Sequence, residues 1–169
     1  LLRQLGIATQ PETDSPLQAG IAAIETTLAR IGVDPAGFDL ADGSGLSRHN
    51  LVTPEAIVQT LQAMAASSAY RNSLAVAGES GTLINRFQGT IVQGRLQGKT
   101  GALSGVAALS GYLDPPIYEP IAFSILVNHF DVPVREVRPA IDAIVLQLAE
   151  LQACSSQNDS SYSMNQSQP

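Results

Sequence analysis

Three strand-length apolar runs, Ile91 to Thr100, Val106 to Leu113 and Ile121 to Asn128, follow one another in the second half of the chain. Only Gly101 to Gly105 and a stretch opened by Asp114-Pro115-Pro116 separate them. A parallel crossover needs a dozen or more residues, so such short connections point to antiparallel neighbours. Val134, Val137, Ile141, Ile144, Val145, Leu148 and Leu151 then recur at helical spacing after Asp131-Val132-Pro133. A helix with so wide an apolar stripe is expected to lie on the sheet. The fold class that follows is α+β, an antiparallel sheet covered by helices.

Helices are also expected upstream. Leu17, Ile21, Ile24, Leu28 and Ile31 recur at spacings of four and three after Ser15-Pro16, and Gly32 closes the run. Thr53-Pro54-Glu55 opens a second helix, with Ile57, Val58, Leu61, Met64 and Ala65 as its stripe and an end expected near Ser67. Between them Asp39 to Asn50 loses all periodicity and becomes Asp42-Gly43-Ser44-Gly45-Leu46-Ser47-Arg48-His49-Asn50, whose residue types favour turns and bonds to their own main chain. It reads as a structured loop. Tyr70 to Arg86 is mixed, with Gly78-Glu79-Ser80-Gly81-Thr82-Leu83 marking a turn into a short helical or irregular piece. Residues 1–153 are expected to form the folded part. From Cys154 to Pro169 the chain is mostly Ser, Gln and Asn, which bury too little to offset their ordering entropy, and a disordered polar tail is expected.

Composition removes several functions. There is no tryptophan, aromatic residues are few and the net charge is −6, so the chain offers neither a basic phosphate-tracking face nor base-stacking platforms; nucleic acid is not an expected partner. No apolar run approaches the roughly 20 residues of a membrane-spanning helix. Cys154 is the sole cysteine, which leaves no disulfide framework. The scattered carboxylates show no metal-ligand spacing, and no cofactor is called for. Leu1 to Gly6 reads as the middle of a helix in a chain that begins without Met, so further sequence is expected upstream.

Lys99 is the only lysine, set in Gln97-Gly98-Lys99-Thr100-Gly101-Ala102 at the end of the first strand-like run. A cation used once in so bare a setting suggests chemistry rather than solubility. A strand would hold it rigidly, Gly101 would leave the approach path free of a side chain, and an extended peptide could pair beside it. The ammonium and the Thr100 hydroxyl would then supply donors for a carboxylate. Taken alone, the triplet is better read as a strand ending in a turn with a solvated lysine, since three residues match easily by chance.

Wider context narrows the choice. Gly98-Lys99-Thr100-Gly101-Ala102-Leu103-Ser104-Gly105-Val106 with Leu109-Ser110-Gly111-Tyr112, preceded by Asp42-Gly43-Ser44-Gly45-Leu46-Ser47-Arg48 and Gly81-Thr82-Leu83, closely resembles the D-alanyl-D-alanine carboxypeptidases of the penicillin-binding protein 4 type. The resemblance runs from Leu1 to about Leu151 and covers only the C-terminal part of such an enzyme. It implies the C-terminal portion of a β-lactamase/transpeptidase-like domain in the cell envelope. Leu1 to Gly6 would follow the family's Ser-x-Asn motif. Lys99 would be a catalytic residue and, with Thr100, Gly101 and Ala102, would bind the terminal carboxylate of a peptidoglycan stem peptide or a β-lactam. Ala102 stands where the family often has threonine, although its backbone N–H could still serve an oxyanion hole.

The family's mechanism also needs an acylatable serine one helical turn before a lysine, and a Ser-x-Asn. Because Lys99 is the sole lysine, Ser-x-x-Lys would require serine at position 96, which is Leu96. Ser156-Gln157-Asn158 and Ser163-Met164-Asn165 spell Ser-x-Asn only within the low-complexity tail. The expectation is therefore half of an active site, inactive by itself. A non-catalytic peptide-binding or degenerate module of the same fold is the alternative. A serine hydrolase built on Ser44 with His49 or His129 is a weaker one, since Asp42 replaces the first glycine of a Gly-x-Ser-x-Gly elbow. Loop-bracing suits Asp42, Ser44 and Ser47 better.

Overall fold

The computed structural model describes residues 1–153. The tail expected from Cys154 onward lies outside the described residues. Helix α1 (Leu2–Thr9) and helix α2 (Pro16–Arg30) form a hairpin. They pack backbone to backbone: a methyl group on Gly6 would come within 1.9 Å of the Pro16 carbonyl oxygen, and one on Gly20 within 2.2 Å of that of Leu2. Pro16 occupies the first helical turn, where a missing N–H costs nothing. The predicted stripe of α2 is buried at Ile21, with Leu17, Ile24, Leu28 and Ile31 half-buried.

The predicted structured loop is closed by a two-residue ladder, β1 (Phe38–Asp39) against β2 (Leu51–Val52). Helix α3 (Pro54–Met64) follows at once, its first turn capped by the Thr53 hydroxyl, which accepts from the Ala56 N–H at 3.1 Å. It ends three residues before the expected Ser67. The cause is local: Ser67 caps a separate short helix, α4 (Ser68–Asn72), by accepting from the Tyr70 N–H.

The main sheet has four antiparallel strands in the order β3-β4-β5-β6: Ala75–Val76, Leu96–Leu103, Val106–Leu113 and Ile121–Asn128. The last two match their predicted bounds. The first predicted strand, Ile91 to Thr100, is corrected at both ends. Residues 90–95 make tight turns, with Gln93 N–H donating to the Thr90 carbonyl and Arg95 N–H to that of Val92, and Gly94 at φ 71°. Val92 is apolar because it is a fully buried plug under the sheet, which copies the composition of a strand without its geometry. Pairing then continues to Leu103 opposite Val106. Lys99 and Thr100 therefore lie in the middle of a strand, not at its end.

Period-two alternation divides the sheet into two faces. Ala107, Leu109 and Leu113 of β5 and Phe123 of β6 are buried with Ile141, Val145 and Ala149 of helix α5 (Val134–Ala149). Each aliphatic side chain fully withdrawn from water there contributes about 1.5–3 kcal/mol. Ile144 and Leu151, counted in the predicted stripe, are instead exposed. On the opposite face α3 packs across β5 and β6, pinned where the Tyr112 hydroxyl donates to the Leu61 carbonyl at 2.5 Å. That face is only partly covered, and it carries the candidate site.

Candidate functional site

Cross-strand pairs in register share a face, so the pairing of Lys99 with Ser110, Gly101 with Ala108 and Leu103 with Val106 puts all six on the α3 side. With Ser47, Arg48 and Asn50 of the braced loop, Leu51, Ile57 and Leu61 near α3, and Asn128 and His129, they line a cleft of about 1000 Å³. Lys99 and Arg48 line this cleft and, among the described residues, no carboxylate does. In a chain of net charge −6 such a local excess of cations favours an anionic occupant.

One margin of the cleft is an open strand edge. β3 pairs only with Gln97 and Gly98, leaving the outer edge of β4 free of a described strand from Lys99 onward. The Leu96 carbonyl accepts from the Ala77 N–H at 3.0 Å across that edge, so alternation turns the main-chain groups of Thr100 and Ala102 the same way. An extended peptide laid along β4 would meet them. Lys99 is exposed and its Nζ donates to the Thr100 carbonyl at 2.6 Å, while the Thr100 hydroxyl donates to that of Thr82 at 2.9 Å. Gly101 and Ala102 are exposed beside them.

The loop carrying Arg48 is held by its own polar groups. Asp42 Oδ1 accepts from the Ser44 N–H at 2.9 Å, the Ser44 hydroxyl at 2.8 Å and Asn50 Nδ2 at 3.1 Å. Asn50 Oδ1 accepts in turn from the N–H groups of Ala41 and Asp42, and Ser47 Oγ from that of His49. Asp42, Ser44 and Ser47 thus brace the loop, and Ser44 has a carboxylate rather than an imidazole as its partner. Arg48 then reaches across to donate to the Ser104 carbonyl at 2.6 Å, joining the loop to the β4–β5 turn. Sequence reading assigned Arg48 no role, because its partner lies 56 residues away.

These bonds from Ser44, main chain first and hydroxyl second, hold the Asp42 carboxyl below its ordinary value of 3.8 against an opposing effect of desolvation, with Asn50 and the charge of His49 assisting. A carboxyl depressed on folding stabilises the loop above its unfolded value and loses that contribution as pH falls through the folded one. The Ser44 and Asn50 amide resonances are accordingly expected to shift together in one transition whose midpoint lies below the ordinary value of 3.8. A pH titration by NMR checks this, and Asp42→Asn should remove the shared transition.

The Lys-Thr-Gly motif, expected at a strand end, thus lies mid-strand beside a free edge, and comparison with known proteins bears on the family directly. The chain is 47% identical over 140 residues to a D-alanyl-D-alanine carboxypeptidase of an Actinomadura species, covering 78% of this chain and 26% of that protein. It is 33% identical over 137 residues to the carboxypeptidase DacB of Mycolicibacterium smegmatis, covering 76% and 30%. It thus spans less than a third of the length of these curated relatives. Penicillin-binding protein 4 of Haemophilus influenzae, solved with a β-lactam, superimposes on 89% of the chain with a TM-score of 0.77 at 25% identity, 37% of that structure being covered. Residues 1–150 match the profile of the D-Ala-D-Ala carboxypeptidase 3 (S13) family, and the chain belongs to that family.

Proposed function

We propose that this chain is the C-terminal portion of a serine-type D-Ala-D-Ala carboxypeptidase or endopeptidase of the cell envelope, supplying the substrate-binding strand of its active site. The observation that carries the reading is the exposed Lys99 on the free-edged segment of β4, in a cleft lined by cations and no acid. The β-lactam bound to penicillin-binding protein 4 of Haemophilus influenzae and the family of residues 1–150 support it.

In this reading a stem peptide lies along β4, its terminal carboxylate held by the Lys99 ammonium and the Thr100 hydroxyl. A serine outside this chain attacks the penultimate D-Ala carbonyl, the terminal D-Ala leaves as amine, and water then hydrolyses the acyl-enzyme. The Ala102 N–H, on the open edge, contributes to binding the developing oxyanion. β-Lactams enter the same cleft. Residues 1–153 form the portion of the transpeptidase-like domain that carries this strand.

Incubation with a fluorescent penicillin tests the reading. The longer protein that contains this chain is expected to retain covalent label through denaturing electrophoresis, and the 169-residue chain alone is not. Failure of the folded longer protein to label would favour a non-catalytic peptide-binding module. Labelling of the chain alone would place a nucleophile where no Ser-x-x-Lys exists.

A further inference from the structure

Thr82 stands out because each of its neighbours has a structural task and it has none of its own. The Ser80 hydroxyl accepts from the Val76 N–H of the edge strand at 3.0 Å. Gly81 sits at φ 55°, and a methyl group there would come within 2.9 Å of the Ala75 β-carbon. Leu83 is fully buried, and its carbonyl accepts from the Gly78 N–H at 3.0 Å. The turn is thereby clamped to β3 and the core. Thr82 is exposed on it, as Ser80 and Gly81 are, but its side chain takes no part in the clamp: 18 residues before Thr100, its hydroxyl lies 2.9 Å from that of Thr100.

We infer that Thr82 is a positioning residue for the carboxylate anchor, holding the Thr100 hydroxyl in its binding orientation; the inference rests on the reading that Thr100 binds the ligand's carboxylate. A free threonyl hydroxyl samples several staggered rotamers, and fixing one costs entropy when ligand binds. Here the rigid turn has already fixed it. Without ligand, the Thr100 proton points to Thr82. When a carboxylate arrives, Thr100 turns its proton to the anion and its oxygen accepts from Thr82 in exchange, so neither hydroxyl loses a partner. The pair works as a two-state relay with no net proton transfer.

Packing alone would affect every ligand alike, whereas this role concerns only ligands that carry the anion. The experiment compares acylation of the longer enzyme by benzylpenicillin and by its methyl ester, which lacks the charge. Thr82→Val, nearly isosteric, is expected to slow acylation by benzylpenicillin about 5- to 10-fold, the worth of one hydrogen bond, and acylation by the ester less than about 2-fold. Thr82→Ser should restore the benzylpenicillin rate. Thr82→Ala serves the same comparison where the valine variant does not fold. Equal loss with both ligands, or no loss with either, would overturn the positioning role. Thr100→Val separates the two layers: if it leaves benzylpenicillin acylation unchanged, the carboxylate-anchor reading itself fails. If it slows acylation and the Thr82 variants do not, only the inference about Thr82 fails.

Discussion

If the proposed function holds, Lys99→Ala in the longer protein that contains this chain is expected to slow acylation by benzylpenicillin about 10²- to 10³-fold while leaving the melting temperature nearly unchanged. The asymmetry follows from where the residue sits. Lys99 is exposed and its hydrogen bond is to the neighbouring Thr100 carbonyl, so removing it leaves no buried group without a partner. Loss of a charge-assisted contact to a bound carboxylate costs a few kcal/mol, and 1.4 kcal/mol is tenfold in rate. Arg48 is not expected to take over fully, because its guanidinium is directed to the Ser104 carbonyl of the β4–β5 turn. Lys99→Arg is expected to recover only part of the rate, since a planar fork replaces a compact ammonium on a different stem length. Acylation kinetics with a fluorescent penicillin, together with a thermal melt, decide the matter. A rate within about threefold of wild type for Lys99→Ala would remove this lysine from the site.

A large loss of stability is expected at Gly111, which faces Gly98 across the β4–β5 pair. A methyl group on Gly111 would lie 2.1 Å from the Gln97 carbonyl oxygen and 2.6 Å from the Gly98 α-carbon. Both are backbone atoms, so no rotamer change relieves the contact and the strands must part. Overpacking of a rigid site costs about 1–3 kcal/mol, and the upper end applies here. For a chain of this size Gly111→Ala is expected to lower the melting temperature by about 10 °C. The parting begins one residue from Lys99, so β-lactam acylation should fall as well, in a variant that retains every side chain of the cleft. Gly101→Ala provides the contrast, because its added methyl group would meet only the Ala108 β-carbon, at 3.3 Å. It should cost less stability than Gly111→Ala and act mainly by narrowing the cleft.

Much of the architecture was legible from local pattern. β5, β6, α2 and α5 lie within a residue or two of where periodicity placed them, because a strand or helix with one buried face prints that burial at a period of 2 or 3.6. β4 was misread at its start because Val92 is apolar for a different reason, plugging the core from a turn closed by Gly94, while its apolar neighbour Ile91 is exposed. The two-residue strand β3 left no periodic trace at all. Within the candidate site, Lys99, Thr100, Gly101 and Ala102 stood out as a motif, and the bracing roles of Asp42, Ser44 and Ser47 followed from residue type. Arg48 and Thr82 were quoted in motifs without a task, since their partners Ser104 and Thr100 lie 56 and 18 residues away.

The amino-acid sequence by itself determined the α+β class, the antiparallel meander, the family, and the fact that the only lysine is not preceded by a serine at the spacing an acylating pair requires. Tertiary structure alone decided that Lys99 sits mid-strand on the α3 face, that the pairing of β3 with β4 stops at Gly98 and leaves the next residues free of a described strand, and that Thr82 is delivered to Thr100. The division has one physical cause. Burial patterns and motifs are properties of neighbouring residues, whereas an open edge and a hydroxyl pair exist only once distant segments have paired, and where that pairing ends is set by the packing of the whole sheet.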